Sequence, residues 1–228
     1  MKYFLLLPLF GLPLFLAEAQ SQDLQSAQMP SKASQAFRND LIDLQDYFSI
    51  PGISAVVQQG DSILLEHYNG FANLDKEVTV GPKALFPIAS LTKIFSGIMV
   101  LKLVEEGNLS LDEPINAYVP HAGLGDSVLI RHILSHTSQG IVGEHFYYSW
   151  RFGYLTAVIE SASGMPFEAY LQELILDPLH MTETYIMDED SSPAYLRSTL
   201  ASPYVLNDEA NVERGNIEWG FSASAGLA

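Results

Sequence analysis

The chain has 228 residues, with 11 lysines and arginines against 27 aspartates and glutamates, for a net charge of −16. A chain this acidic is repelled by nucleic acid and by anionic membrane surfaces, which excludes both as partners. It has no cysteine, so disulfides and thiol chemistry are excluded, and its 48% apolar content is enough for a sizeable core.

The first residues read Met1-Lys2, an apolar run from Tyr3 to Leu16, then Ala17-Glu18-Ala19. A charged start, a short apolar stretch and an A-x-A site form the pattern of a cleavable secretory signal. The run is too short for a spanning helix and carries two prolines. A mature chain is therefore expected to begin near Gln20, with no stable membrane anchor, and to be secreted or periplasmic. Residues 20–34, rich in Gln, Ser and Ala, read as a flexible leader.

From Gln35 to Phe48 the apolar positions Phe37, Leu41, Leu44 and Phe48 predict an amphipathic helix. Pro51-Gly52 ends it. Ile53 to Gln59 and Ser62 to Tyr68 read as a hairpin around Gly60-Asp61, and residues 73–83 as a loop. Next comes Phe86-Pro-Ile-Ala-Ser90-Leu-Thr-Lys93-Ile-Phe95, where a helix opens on a serine with a lysine three residues on. Ile94, Phe95, Ile98, Met99, Val100, Leu101 and Leu103 make that helix apolar almost all round, which predicts burial. Gly107 is placed to end it.

Ser90 and Lys93 are neighbours at i, i+3 on that first turn. A serine hydroxyl becomes a nucleophile when an adjacent base takes its proton, and a lysine serves as that base when burial and positive potential favour its neutral form. A helix N-terminus supplies such potential and offers N–H groups to an oxyanion. Ser-x-x-Lys alone is not specific, since a chain of this length carries roughly one by chance.

Leu109 to Pro120 is turn-rich, and Val128 to Leu134 reads as a short helix. His132 and His136 lie four apart but lack an adjacent acid, so they read as support rather than as metal ligands. Tyr154 to Ser163, closed by Gly164, and Pro166 to about Leu176 read as two further helices. Residues 188–220 are polar and irregular, and Glu218 to Ala228 is a small-residue segment.

The run from Phe86 to Phe95 resembles the active-site serine segment of the serine β-lactamase and penicillin-binding protein superfamily, in its class C and serine-esterase-like branch. The resemblance continues through Leu103 to Pro114, Ile130 to Ser138, Phe167 to Leu171 and Leu176 to Thr182, and spans most of residues 35–228. It implies an α/β (α+β) β-lactamase/transpeptidase-like fold, a helical part beside an antiparallel sheet, over one domain at residues 35–228. The implied activity is a serine hydrolase working through an acyl-enzyme on Ser90, with Lys93 as base and Tyr148 as proton shuttle. The substrates implied are β-lactams, D-Ala-D-Ala or other peptidoglycan peptides, and small esters. No metal or organic cofactor is implied.

The chain departs from that pattern in three places. The motif tyrosine falls in Phe146-Tyr-Tyr148-Ser-Trp150-Arg151, where Tyr148 fits best and Tyr147 is the alternative; Trp150 stands where the family has asparagine. That amide would donate to a substrate carbonyl and accept from the lysine, and tryptophan has no acceptor. His180 replaces a usual glycine. No Lys-Thr or His-x-Gly tripeptide follows Tyr148, so the strand that carries the family's third motif is expected to be missing, with the hairpin short of partners and exposing an edge. A non-catalytic peptide- or partner-binding protein, or an inactive truncated fragment, is the alternative reading.

Overall fold

The computed structural model describes residues 31–188 and 194–228. The signal-like segment lies outside the described residues. Helix α1 (Ser31–Tyr47) takes in the last four residues of the expected leader. It lies along the sheet, where the Arg38 guanidinium donates to the Glu66 carbonyl. Strands β1 (Gly52–Gln59) and β2 (Ser62–Asn73) pair antiparallel around the Gly60-Asp61 turn, with a bulge between Val57 and Gln58. Gly70 is required where the chain leaves α1: its φ is +76°, and a Cβ there would lie 2.2 Å from the Pro51 carbonyl oxygen.

The sheet is larger than the hairpin read from the sequence. β2 runs five residues past Tyr68 to Asn73, and β3 (Val78–Thr79), inside the expected loop, pairs with it in the order β1-β2-β3. The tract expected to be irregular also folds. It holds helix α6 (Ala194–Thr199) and the hairpin β4 (Tyr204–Leu206) and β5 (Val212–Arg214). Ser202 N donates to Ala72 O, Asn73 donates to the Ser202 hydroxyl and Leu74 N donates to the Tyr204 hydroxyl, tying this tract to the end of β2. Among the described residues, β1 pairs only with β2, so its outer edge is unpaired as expected.

The main core is helical. It lies among α2 (Thr92–Glu105), α3 (Ile130–Leu134), α4 (Leu155–Ser163) and α5 (Phe167–Leu171), the last continued by a π-turn to Leu176. Met99, Val100, Leu103, Ile133, Leu155, Ile159, Phe167 and Leu171 fill it. α2 ends as its sequence predicts. Gly107, at φ +76°, donates to Val104 O and Asn108 N donates to Leu103 O, the paired bonds of a glycine C-terminal cap.

The expected burial of α2 is corrected. Only the face bearing Thr92, Ser96, Met99, Val100 and Leu103 is buried, while Leu91, Ile94, Ile98 and Leu101 form an exposed stripe. Those four follow an i, i+3, i+7, i+10 spacing, one side of a helix. An apolar circumference permits burial all round, but α4 and α5 pack against one side only.

The stripe and the core make opposite predictions. In urea denaturation Met99→Ala, which empties a fully buried position, is expected to lose about 2–5 kcal/mol. Ile94→Lys combined with Ile98→Lys is expected to change stability by only about 0.5 kcal/mol and to reduce ANS fluorescence. A double variant that unfolds would show that the stripe is covered.

Candidate active site

The chain reaches Ser90 through a strained step. Ala89, just before it, has φ +44°, in the left-handed region that costs a non-glycine residue roughly 1–2 kcal/mol. Ala89–Leu91 form a 3₁₀ turn leading directly into α2, which places Ser90 exposed at the mouth of the helix. Strain held at such a point marks a position where geometry matters.

The structure brings Ser90, Lys93 and Tyr148 together. Lys93 Nζ lies 3.1 Å from Ser90 Oγ and donates to it. It sits 4.9 Å from the centroid of the Tyr148 ring and 5.6 Å from that of Phe152, within cation–π range of both. Hydrogen bonding to Ser90, then to Lys93, together with the positive charge of Lys93, holds the Tyr148 phenol below the usual tyrosine range. Of the two tyrosines left open by the sequence, Tyr148 is the one at Ser90. Tyr147 donates its N–H to His136 O, and its ring lies over Gly140.

His136 supports Tyr148 from behind. It follows α3 at φ +55°, and its buried ring stacks on Tyr148 at 4.8 Å and on Phe152 at 5.2 Å. Its Nδ1 accepts from Ser149 N at 3.1 Å, so the proton of the neutral ring is assigned to Nε2. Burial, then the nearby Lys93 charge, pushes its pKa below the usual histidine value. His132 is separately engaged, accepting from Leu129 N at the start of α3.

Trp150 is 71% exposed and packs edge-on against the Tyr154 ring at 5.3 Å. Arg151, the next residue, donates to Ser138 O at 2.6 Å. The lysine finds its remaining partners elsewhere, in the small-residue segment. Lys93 Nζ donates to Ser224 O at 2.8 Å and to Ser224 Oγ at 2.9 Å. Sequence reasoning missed Ser224, because it lies 131 residues from Lys93 and no local spacing marks it.

The segment that presents Ser224 is fixed from several sides. Ser222 N and Ala225 O, and Ala225 N and Ser222 O, close a tight turn. Ala223 N donates to Thr156 Oγ1 of α4, while Ala223 O accepts from Ser96 Oγ of α2. Leu227 N donates to Thr92 Oγ1, and Leu227 O accepts from Ile88 N. Gly226 has φ +112°, and a Cβ there would lie 2.6 Å from Gly220 O.

A family model described as Beta-lactamase matches residues 37–227. Protein flp from Staphylococcus aureus (strain COL) is 28% identical over 172 residues, covering 59% of this chain and 34% of that protein. Penicillin-binding protein 4* from Bacillus subtilis (strain 168) is 26% identical over 201 residues, covering 68% of this chain and 44% of that one. The solved octameric penicillin-binding protein homologue from Pyrococcus abyssi shares the fold with a TM-score of 0.75 at 24% identity, over 87% of this chain and 53% of its own. The chain thus spans between about a third and a half of these relatives' length.

The depressed histidine gives a pH prediction. A neutral form favoured by folding contributes stability that is fully present above the unfolded pKa of about 6.5 and is lost as pH falls toward the lower folded value. The melting temperature is therefore expected to drop on acidification below about pH 6.5. His136→Asn, compared with the parent chain across that range, should flatten the drop. Parallel curves for the two proteins would show that carboxylates alone cause it.

Proposed function

The chain belongs to the beta-lactamase family, and from that premise we propose that it is a serine hydrolase working through an acyl-enzyme on Ser90. The observation that carries this reading is the convergence of Lys93 Nζ, 3.1 Å from Ser90 Oγ, and the Tyr148 hydroxyl on the same serine. Lys93 takes the Ser90 proton as Oγ attacks a carbonyl carbon, and the Ser90 N–H at the mouth of α2 faces the developing oxyanion. Tyr148, with its phenol held below the usual range, passes the proton to the departing nitrogen or oxygen. Water then cleaves the ester on Ser90. Compounds with an acyl group that Ser90 Oγ could attack fit this chemistry: β-lactams, D-Ala-D-Ala peptides and small esters. The signal-like pattern from Met1 to Ala19 supports an exported protein, acting where such peptides are found.

A second reading, a non-catalytic member that binds peptide, draws support from Trp150. The tryptophan packs on Tyr154 and offers no acceptor, so it cannot accept from Lys93 as an asparagine amide would.

Incubation with a fluorescent penicillin and, separately, an activated serine-hydrolase probe distinguishes the two. Labelling confined to the peptide bearing Ser90 is expected, abolished in Ser90→Ala and slowed by about 10²–10⁴ in Lys93→Ala and in Tyr148→Phe. Absence of any adduct in a chain with a cooperative melt would favour the binding reading. For export, the intact mass of secreted material is expected to match a chain beginning at or near Gln20, and recovery of uncleaved, membrane-embedded protein would refute it.

A further inference from the structure

We infer that the side-chain hydroxyl of Ser224 is a positioning residue for Lys93, taking over the lysine-directed half of the role vacated at Trp150. The inference rests on the acyl-enzyme reading for its consequence, but its geometry stands independently. Lys93 Nζ has three hydrogen-bonding directions, and three acceptors lie within 3.1 Å: Ser90 Oγ, Ser224 O and Ser224 Oγ. Two of them belong to one residue. An amine held at two points cannot rotate about its Cε–Nζ bond, so its third direction is aimed at Ser90 Oγ. In the neutral amine that third direction is the lone pair, which receives the serine proton. With the Ser224 carbonyl alone, the amine would keep one of its two bonds to that segment and could turn its lone pair away from Ser90.

Among the described residues, neither Trp150 nor Arg151 does this. Trp150 offers no acceptor and packs on Tyr154, and Arg151 carries only donors and is bound to Ser138 O. Ser224 is itself held by its N–H, which donates to Ser222 Oγ at 3.1 Å, within a turn tied to both α2 and α4. The hydroxyl is therefore preorganised, not recruited from a mobile loop.

Ser224→Ala isolates the contribution, because it leaves the backbone carbonyl in place and removes only Oγ. In the full chain, trace acetylation of lysines followed by peptide mass spectrometry reads the freedom of Lys93 against exposed Lys83 as an internal reference. Loss of one hydrogen bond to a charged donor is expected to raise Lys93 labelling about tenfold relative to Lys83, with Ser224→Thr restoring the parent value. Acylation of Ser90 by penicillin is expected to slow about tenfold in Ser224→Ala and to shift in pH dependence, with the concentration for half-maximal rate unchanged. Unchanged Lys93 labelling in a Ser224→Ala chain of normal melting temperature overturns the inference, as does failure of Ser224→Thr to restore it. If neither variant folds, Ser224→Cys, a weaker acceptor of similar size, should give labelling above the parent value, and parent-like labelling would again overturn the inference. Should the parent chain never acylate at Ser90, the acyl-enzyme reading fails while the labelling comparison still decides the role of Ser224.

Discussion

The structure depends on the seam between the first turn of α2 and residues 222–227. α2 carries few polar side chains, and those at its start, Thr92, Lys93 and Ser96, each bond to this one segment. Thr92 and Ser96 are 1% and 0% exposed, so their hydroxyls would be costly to bury without these partners. The same bonds settle where Lys93 can put its amine. A structural requirement, satisfying buried hydroxyls, and a chemical one, aiming a base, are therefore met by the same turn. Breaking the turn would damage both, which is why a change confined to Oγ of Ser224 is more informative than a larger one.

Much of this was legible from local signals. The hairpin announced itself through alternation around Gly60-Asp61, and α2, α4 and α5 through apolar periodicity closed by glycine at Gly107 and Gly164. Ser90 and Lys93 were legible because i, i+3 spacing on a helix is a local fact. Tyr148 was legible only as one of two adjacent tyrosines, and the stacking of His136 on its ring is what separates them. Three things were hidden. β3 is two residues long and β4 and β5 three residues each, too short to show an alternation, while Ser224 depends on Lys93, 131 residues away. The exposed stripe on α2 belongs with them, since burial depends on what packs against a helix as well as on the helix itself.

The electrostatics of the site oppose those of the chain. The whole protein is strongly acidic, yet Tyr148, His136 and Phe152 surround a single lysine, with no carboxylate among the causes that shift Tyr148 or His136. The Tyr148 and Phe152 rings seat the amine by cation–π attraction, so a second cation beside it would be unfavourable. A neutral His136 fits the same logic, because a charged imidazole stacked behind Tyr148 would repel Lys93.

Two residues next to the site, Ala89 and His136, adopt left-handed backbone that glycine would adopt more easily. Each has a side chain whose loss would matter less to strain than to placement. The Cβ of Ala89 narrows the conformations open to the residue before Ser90, and the ring of His136 is the surface against which Tyr148 lies. Strain of a few kcal/mol persists only where neighbouring structure over-determines it. Here that structure is specific: Ile88 N bonded to Leu227 O on one side, and Ser149 N bonded to His136 Nδ1 on the other. The serine and the tyrosine are thus each carried by a strained residue clamped by a long-range hydrogen bond. Lys93 sits between them with its amine anchored at Ser224. Lys93 is carried by α2 and Ser90 by the 3₁₀ turn leading into it, whereas Tyr148, exposed in the irregular stretch before Trp150, is held by its stacking on His136.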